Sequence, residues 1–465
     1  MGTAMKSVNE KSHTEMYAGL ALFFSMYYVL GANPEILSQI GIPASAALLG
    51  TFLAIIVGNL CGAFATNTGL MIAPAIGISA FVNNFVQHSD NKLDWRHAML
   101  ACALAGVLVF LTSIFTDWRE RIVDDLPESV TKGAKAGIGA LLIKEAFDIF
   151  EQAQKHGLEP RVGGIFVTLG VVFLVLFFLL RSKIEDSANN EPPIARFFMR
   201  LEFLLVVILM SSYLNFFQPS YIAALPDNTK LSFLWKDPIV FTDWHLHFVE
   251  LILIFLFAAT VWFIVISDIP GTPNEILPED QKAVDGRKAV RRGYINDGVF
   301  AFLSPLIGTT PTIYYAENQI LKSFGVYSRR VSLWATALFF IVFAIDLVGQ
   351  LSPGWKIPVY KFLSPIAVLP IVIFIGLYII SVSFLQSPHG EGAAPPVSRS
   401  PQYYFPSAIS VILTSRIGLE YALPLSVLSF WLVKSKDDQY GPSFMLISIG
   451  SAVSLVVFGC LFAGG

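Results

Sequence analysis

Charge is scarce in this chain. Asp, Glu, Lys and Arg make up 14% of its 465 residues and apolar residues 54%, whereas a soluble globular domain carries about 25% charged residues. That shortage excludes an ordinary soluble protein. Cysteine is scarcer still: Cys61, Cys102 and Cys460 sit singly inside apolar runs with no CxxC spacing. This excludes a disulfide framework and a zinc site and leaves them as small core residues. A basic tail or stripe is also missing. With 31 basic and 34 acidic residues the net charge is -3, so the charge balance does not point to a nucleic acid. The polar first 16 residues lead into an apolar run with no small-residue cleavage site after it, so the first hydrophobic segment is expected to stay in the mature protein.

Long uncharged runs are what the chain has in quantity. Val171 to Leu180 and Leu251 to Ile266 carry no charge and approach the length of about 20 residues that spans a bilayer. Apolar windows of that kind fall at about 17–36, 44–64, 98–116, 161–181, 197–217, 250–276, 331–350, 362–384 and 443–463. Weaker segments, interrupted by Gly, Pro or charge, lie at 69–86, 131–149, 294–307, 312–325 and 405–433. Counted once each, they predict an all-α polytopic membrane protein of about 14 transmembrane segments with both termini on one side. If that side is the cytoplasm, its loops hold 19 of the 31 basic residues and the outer loops ten, in the sense of the positive-inside rule. The longest polar inserts are 273–293, with five basic residues, and 386–402, a Pro/Gly/Ser-rich loop with no periodicity. Function is therefore expected within the membrane.

The two halves of the chain echo each other. GANPEIL (Gly31 to Leu37) matches GTPNEIL (Gly271 to Leu277) at an offset of 240, and two segments join an extended-looking stretch, a proline and a short apolar helix. These are Asn67 to Phe85 and Gly308 to Gly325, with Pro74 and Pro311 at an offset of 237. A seven-span repeat crosses the membrane an odd number of times, so its second copy is inverted, and paired Gly/Pro-broken segments point to a transporter's binding site. The plain alternative is a pair of loops between helices. Thr309, Thr310, Pro311, Thr312 and Ile313 favour extended backbone, which survives at membrane depth only where protein or a water-filled cavity satisfies it. Half-helices would start near Ala75 and Tyr315, with free N–H groups able to hold acceptor atoms of a polar ligand.

Two acids stand out against this background. Glu317, in YYAENQI, falls in the first turn of the second half-helix, where an ionised carboxylate costs roughly 2.5 to 3.5 kcal/mol on insertion scales. It caps the helix or binds a ligand. Asp268, in VISDIPGT, reads as a helix stop at the end of its span, but at the offset of 240 it corresponds to Tyr28, in mid-span. Two buried carboxylates beside helix ends suit a ligand with both N–H donors and carbonyl acceptors, such as a planar nucleobase. Either acid is a candidate to carry a proton with the substrate, and Tyr314, Tyr315, Phe24, Tyr27 and Tyr28 are candidates to stack on a ring. His245 and His247 are two residues apart, on different helix faces, and read as interfacial. Lys144, Glu145 and Asp148 read as the interface end of a short span, and Arg416 as an i, i+4 partner of Glu420.

The stretches LFFSMYYVLGANPEILSQIGIP and NTGLMIAPAIGISAF resemble the AzgA-type hypoxanthine/guanine permeases of the nucleobase/cation symporter superfamily. RIVDDLPESVTKGAKAGIGALL, DIPGT and GTTPTIYYAENQI extend the resemblance collinearly over most of the chain. It implies 14 spans in two inverted repeats of seven, at 1–232 and 233–465, with spans 1 to 4 and 8 to 11 as a substrate-carrying core. Spans 5 to 7 and 12 to 14 would form a gate and dimer scaffold, with elevator-like motion between the two parts. Asp268 and Glu317 match the acids that bind the base and couple cations, and Tyr315 the tyrosine two before the second acid. Tyr314, Ala316, Ala75 and Thr272 complete the implied substrate site. Pro270, Ala75, Ser79 and Tyr314 depart from the family's residues and leave the identity of the base open.

The expected function is proton-coupled (less favoured, sodium-coupled) uptake of a purine or related nucleobase, by a homodimer in the cell membrane with both termini cytoplasmic. No metal, other cofactor or catalytic residue is expected. A sulfate-permease-like anion carrier is the rival within transporters, and a membrane ligand sensor the rival outside them. An enzyme would need a nucleophile and base or a metal cluster at depth, and the sequence offers neither.

Overall fold

The computed structural model describes residues 2–88, 94–114, 128–187, 193–198, 201–218, 248–267, 272–278, 286–351 and 365–385, with single positions at 221, 425, 428 and 429. The first span is interrupted. Helix α1 (Gly2–Met26) gives way to α2 (Val29–Ser38) through a tight turn, in which Leu30 N–H donates to Tyr27 O at 3.1 Å and Gly31 N–H to Tyr28 O at 3.0 Å. Extended Pro43 opens α3 (Ala44–Thr66), and Asn67, at φ 58°, ends it; asparagine is one of the few residues that enter the left-handed region at small cost. Strand β1 (Ile72–Pro74) and α4 (Ile76–His88) follow, then α5 (Trp95–Ile114), α6 (Glu128–Lys155), α7 (Pro160–Ser187), α8 (Pro193–Phe198) and α9 (Glu202–Phe217). The second half runs α10 (Phe248–Ser267), α11 (Pro273–Ile276), α12 (Gly286–Leu306), β2 (Thr312–Tyr314), a 3-10 turn (Ala316–Gln319), α13 (Ile320–Phe324), α14 (Arg329–Leu351) and α15 (Pro365–Leu385).

Two windows are less continuous than their hydropathy suggests. The window 197–217 divides into α8 and α9, and the window 250–276 is helical to Ser267, with the four-residue α11 beginning at Pro273. Hydropathy registers apolar content, whereas Pro273 marks a helix start, since its missing N–H is harmless at the first position. The expected spans at 405–433 and 443–463 lie outside the described residues, apart from positions 425, 428 and 429.

Among the described residues, five helices are long and apolar enough to cross a bilayer, beginning at Ser12, Ala44, Trp95, Pro160 and Arg329. Their outward faces are apolar as well, with Phe64 63% exposed on α3 and Ile165 60% exposed on α7, and Phe216 on the shorter α9 is 79% exposed. A soluble protein rarely exposes such a belt; hydrocarbon covers it. Of the cysteines, Cys102 is buried, whereas Cys61 is exposed on α3 rather than in the core.

Packing falls into two groups. Around the strands, α3 contacts α2, α12, α14 and β1, α5 contacts α10 and α12, and α1 contacts α14. In the second, α15 packs with α6, α7 and α9, and contacts of α6 with α4, of α15 with α2 and of α9 with α1 join the two groups. Small residues permit the closest approaches, as membrane packing requires: Gly106 of α5 lies against the backbone of Ala301 and Phe302, and Gly139 of α6 and Gly376 of α15 face each other.

Candidate functional site

The two broken segments meet. Strands β1 and β2 pair antiparallel in the register Ile72↔Tyr314, Ala73↔Ile313, Pro74↔Thr312. Tyr315 N–H donates to Met71 O at 3.4 Å and Ala75 N–H to Pro311 O at 3.1 Å. Alternate residues of an antiparallel pair point their backbone groups away from the partner strand, so Ile72 and Pro74 need acceptors and donors elsewhere. Pro74 has no N–H to satisfy, and its carbonyl accepts the Tyr315 hydroxyl. Ile72 is held by the carboxamide of Asn59, which accepts from Ile72 N–H at 2.7 Å and donates to Ile72 O at 2.8 Å. Asn318 does the same for Met71, both bonds at 2.9 Å. Two buried asparagines thus replace the neighbouring strands that a two-stranded crossing lacks.

A second buried polar group fixes the helix ends around this crossing. Asn33 of α2 donates to Thr51 of α3 at 2.8 Å and to Thr309 at 2.7 Å, and Ser79 of α4 bonds Asn33 and Thr310. The hydroxyls of Thr309 and Thr310 are therefore satisfied inside the protein, whereas buried Thr312 Oγ1 has no hydrogen-bond partner among the described residues.

In front of the crossing lies a cavity of about 240 Å³. Its polar wall carries Glu317 and Gln319 from the 3-10 turn, Lys135 from α6 and Glu202 from α9. Tyr28, at the break between α1 and α2, donates its hydroxyl to Glu317 Oε1 at 3.1 Å. Aromatic rings also line it: Phe203 meets Tyr28 edge-on at 5.6 Å between centroids, and Phe374 lies 6.0 Å from Phe203, 5.9 Å from Phe178 and 6.4 Å from Tyr378. The lining thus combines acidic, hydrogen-bonding groups with flat rings. Such a cavity suits a small planar molecule with polar edges.

Of the residues singled out from sequence, Glu317, Tyr315, Ala316, Ala75 and Tyr28 line this cavity together. Tyr314 and Thr272 do not. Tyr314 is buried with its hydroxyl against Gly293 of α12, because successive side chains of a strand face opposite ways and Tyr315 faces the cavity. Thr272 is buried as the N-cap of α11. Phe24 and Tyr27 are likewise absent from the wall. Asp268, His245, His247, Arg416 and Glu420 lie outside the described residues; α10 ends at Ser267, and Ile264 of that helix lines the cavity. Sequence reasoning missed Asn59, Asn318, Lys135, Glu202 and the aromatic wall. For the two asparagines a signal existed, since each is a carboxamide inside an apolar or helix-breaking stretch. The aromatics carried none in a chain with 39 Phe.

Comparison with known proteins bears on this geometry directly. The Xan_ur_permease model, described as Permease family, matches residues 13–353, a range that contains both strands. Guanine/hypoxanthine permease PbuO of Bacillus subtilis is 26% identical over 349 residues, covering 73% of this chain and 76% of its own length. Guanine/hypoxanthine permease GhxP of Escherichia coli O157:H7 is 24% identical over 376 residues, covering 79% and 78%. The murine anion transporter Slc26a9 in its inward-facing state superposes with a TM-score of 0.57 over 90% of this chain and 68% of that one, at 15% identity; at that identity the likeness is one of fold. With the match running through both halves of the strand crossing and through Glu317, the chain belongs to the Permease family of nucleobase/cation symporters, integral membrane transporters rather than enzymes.

Proposed function

We propose that this permease takes up a purine or a related nucleobase across the cell membrane together with a proton. The observation that carries the reading is Glu317, held by Tyr28 in a cavity that aromatic rings also line. A base presents N–H donors and carbonyl acceptors on its edges and a flat face. Glu317 accepts from ring N–H groups, the backbone at Ala316 donates to carbonyl oxygen, and the rings of Phe203, Phe374 and Tyr378 cover the faces. A volume of about 240 Å³ falls just below the range of roughly 300 to 1,000 Å³ typical of drug-sized ligands, as a ligand of one or two fused rings requires.

Asp268 is the second acid of the proposed site. Support comes from Ile264, four residues earlier in the sequence, on the cavity wall. Either Asp268 or Glu317 takes the coupling proton, with sodium as the alternative ion; Tyr315 holds the crossing through Pro74, and Tyr314 and Thr272 act from behind the wall. The repeats of seven spans divide at residue 232, and the carrying unit slides as an elevator against spans 5 to 7 and 12 to 14, in a homodimer with cytoplasmic termini. The packing of α15 against α6, α7 and α9, which fall in those spans, supports that division.

The fold likeness to an anion transporter favours one other reading, an anion carrier. Two carboxylates against one lysine on the cavity wall (Glu317, Glu202 and Lys135) disfavour it, because like charge repels the ligand. The test is uptake by proteoliposomes of hypoxanthine, guanine, adenine, xanthine and uracil, and of bicarbonate and sulfate, with and without an inward proton gradient. Gradient-dependent uptake of a base, lost in a folded Glu317→Gln variant, is expected. Uptake of an anion but of no base, or unchanged uptake by Glu317→Gln, defeats the reading.

A further inference from the structure

One turn beyond Leu142, an α6 residue on the cavity wall, Glu145 is fully buried against α4 and α2. Its Oε2 accepts from Asn83 Nδ2 of α4 at 2.6 Å, while its Oε1 has no partner among the described residues. Among the described residues no cation bonds this carboxylate, and the adjacent Lys144 pairs with Asp148 at 3.0 Å. The elements packed against α6 carry Glu35 on α2, His88 as the last residue of α4, and Tyr378 on α15. An unpaired charge out of water costs several kcal/mol and a neutral carboxyl much less.

What surrounds Glu145 is a chain of three carboxamides. Asn83 Nδ2 also donates to Gln39 Oε1 at 2.9 Å; Gln87 Nε2 donates to Gln39 Oε1 at 3.3 Å and to Asn83 Oδ1 at 3.1 Å. Gln39 Nε2 is buried and without a partner. A carboxamide turned end for end exchanges donor for acceptor at the same atomic positions. If all three turn, every one of the four contacts persists with its direction reversed. Glu145, now protonated on Oε2, donates to Asn83 Oδ1; Gln39 Nε2 donates to Asn83 Oδ1 and to Gln87 Oε1; Asn83 Nδ2 donates to Gln87 Oε1. The orphaned Gln39 N–H groups disappear in this state. Gln87, exposed at the end of the chain, meets solvent in either orientation.

We propose that Glu145 is a proton-binding site, separate from the acids of the substrate cavity, whose carboxamide partners invert to match either protonation state. One proton is taken up on Glu145 Oε2, and in each carboxamide the nitrogen and oxygen exchange places while the contact positions stay the same. The inference goes beyond the uptake reading and is measured on substrate-free protein, so it stands or falls apart from the identity of the substrate.

The test is infrared difference spectroscopy of the full-length protein in lipid nanodiscs, titrated across pH. Among the protonated-carboxyl C=O bands that titrate, one component is expected in both the wild type and Glu317→Gln and is expected to be lost from Glu145→Gln. In Asn83→Leu, which removes the partner and keeps the acid, the band persists with its midpoint moved by about one pH unit. Spectra of Glu145→Gln identical to the wild type overturn the proposal. If Glu145→Gln does not fold, an Asn83→Leu midpoint equal to the wild type's overturns it instead.

Discussion

Replacing Asn59 by leucine strips the strand crossing of one of its two clamps and measures what the clamp contributes. Ile72 loses the acceptor of its N–H at 2.7 Å and the donor to its C=O at 2.8 Å, at a site where Asn59 and Ile72 are each 1% exposed. Each backbone group left unsatisfied costs about 1 to 3 kcal/mol, so the pair amounts to roughly 2 to 6 kcal/mol. Leucine is of similar size, which keeps any cavity contribution small. Asn318→Leu costs less, because Met71 O retains the Tyr315 N–H at 3.4 Å. The C=O of Met71 and the N–H of Ile72 belong to one peptide unit, so the two clamps hold the same plane from both sides. The double variant therefore departs from additivity by about 0.5 to 3 kcal/mol. Thermal melting of detergent-purified protein measures all three, with base binding at the cavity as the functional readout. Expected is a drop of several degrees for Asn59→Leu, a smaller one for Asn318→Leu, and loss of binding in both. Melting of Asn59→Leu within about 1 °C of the wild type refutes the reasoning, since Ile72 would then have other partners.

Three further outcomes follow from named contacts. Tyr28→Phe deletes the hydroxyl that donates to Glu317 at 3.1 Å and keeps the ring edge-on to Phe203; the KM of base uptake is expected to rise by about tenfold, equivalent to about 1.4 kcal/mol, with melting nearly unchanged, as kinetics and melting on one preparation will show. Gly376→Leu places a Cβ 2.7 Å from the Gly139 carbonyl and 2.8 Å from Ile143; overpacking of this kind costs about 1 to 3 kcal/mol, and a melting point equal to the wild type's counts against the α6 and α15 contact. Asp94 precedes α5 and accepts from the backbone of Arg96 and His97 at 2.9 and 3.1 Å. Partial burial pushes its carboxyl up, but hydrogen bonds from His97 and Arg96 prevail and hold it at about 2. A depressed carboxyl stabilises the fold above the unfolded value of about 3.9 and loses that contribution as pH falls toward about 2. The wild type is therefore expected to lose more melting temperature than Asp94→Asn across that window, and parallel losses rule the Asp94 contribution out.

The broken segments were legible in the sequence because they violate a rule with few exceptions. Backbone at membrane depth must be helical unless something else satisfies it, so GTTPT and its counterpart around Pro74 announce a place where protein supplies the missing partners. What the rule leaves open is which groups supply them. Asn59 lies 13 residues from Ile72 and Asn318 lies 247 from Met71, and neither separation has a period that a single chain displays. The same holds for the cavity's aromatic wall. Phe178, Phe203 and Phe374 come from three helices, each apolar enough that one more phenylalanine carries no information.

The tyrosine pair shows how narrow the missing information can be. Tyr314 and Tyr315 are adjacent, and sequence treats them alike. In an extended chain they must face opposite sides, so a single choice of parity decides which one the ligand meets. That parity is set by Tyr315 bonding Pro74 across the crossing, in a register that pairs residues more than two hundred apart. Glu317 escapes the ambiguity because it lies beyond the strand, in the 3-10 turn, where rotation by about a third of a turn per residue brings both Ala316 and Glu317 to the cavity. A carboxylate there is readable from sequence, since its energetic cost in the bilayer demands a partner. The partner, Tyr28, waits on the first span's own break, so two interruptions of helix, each costly alone, meet at the one place where a polar ligand would repay both.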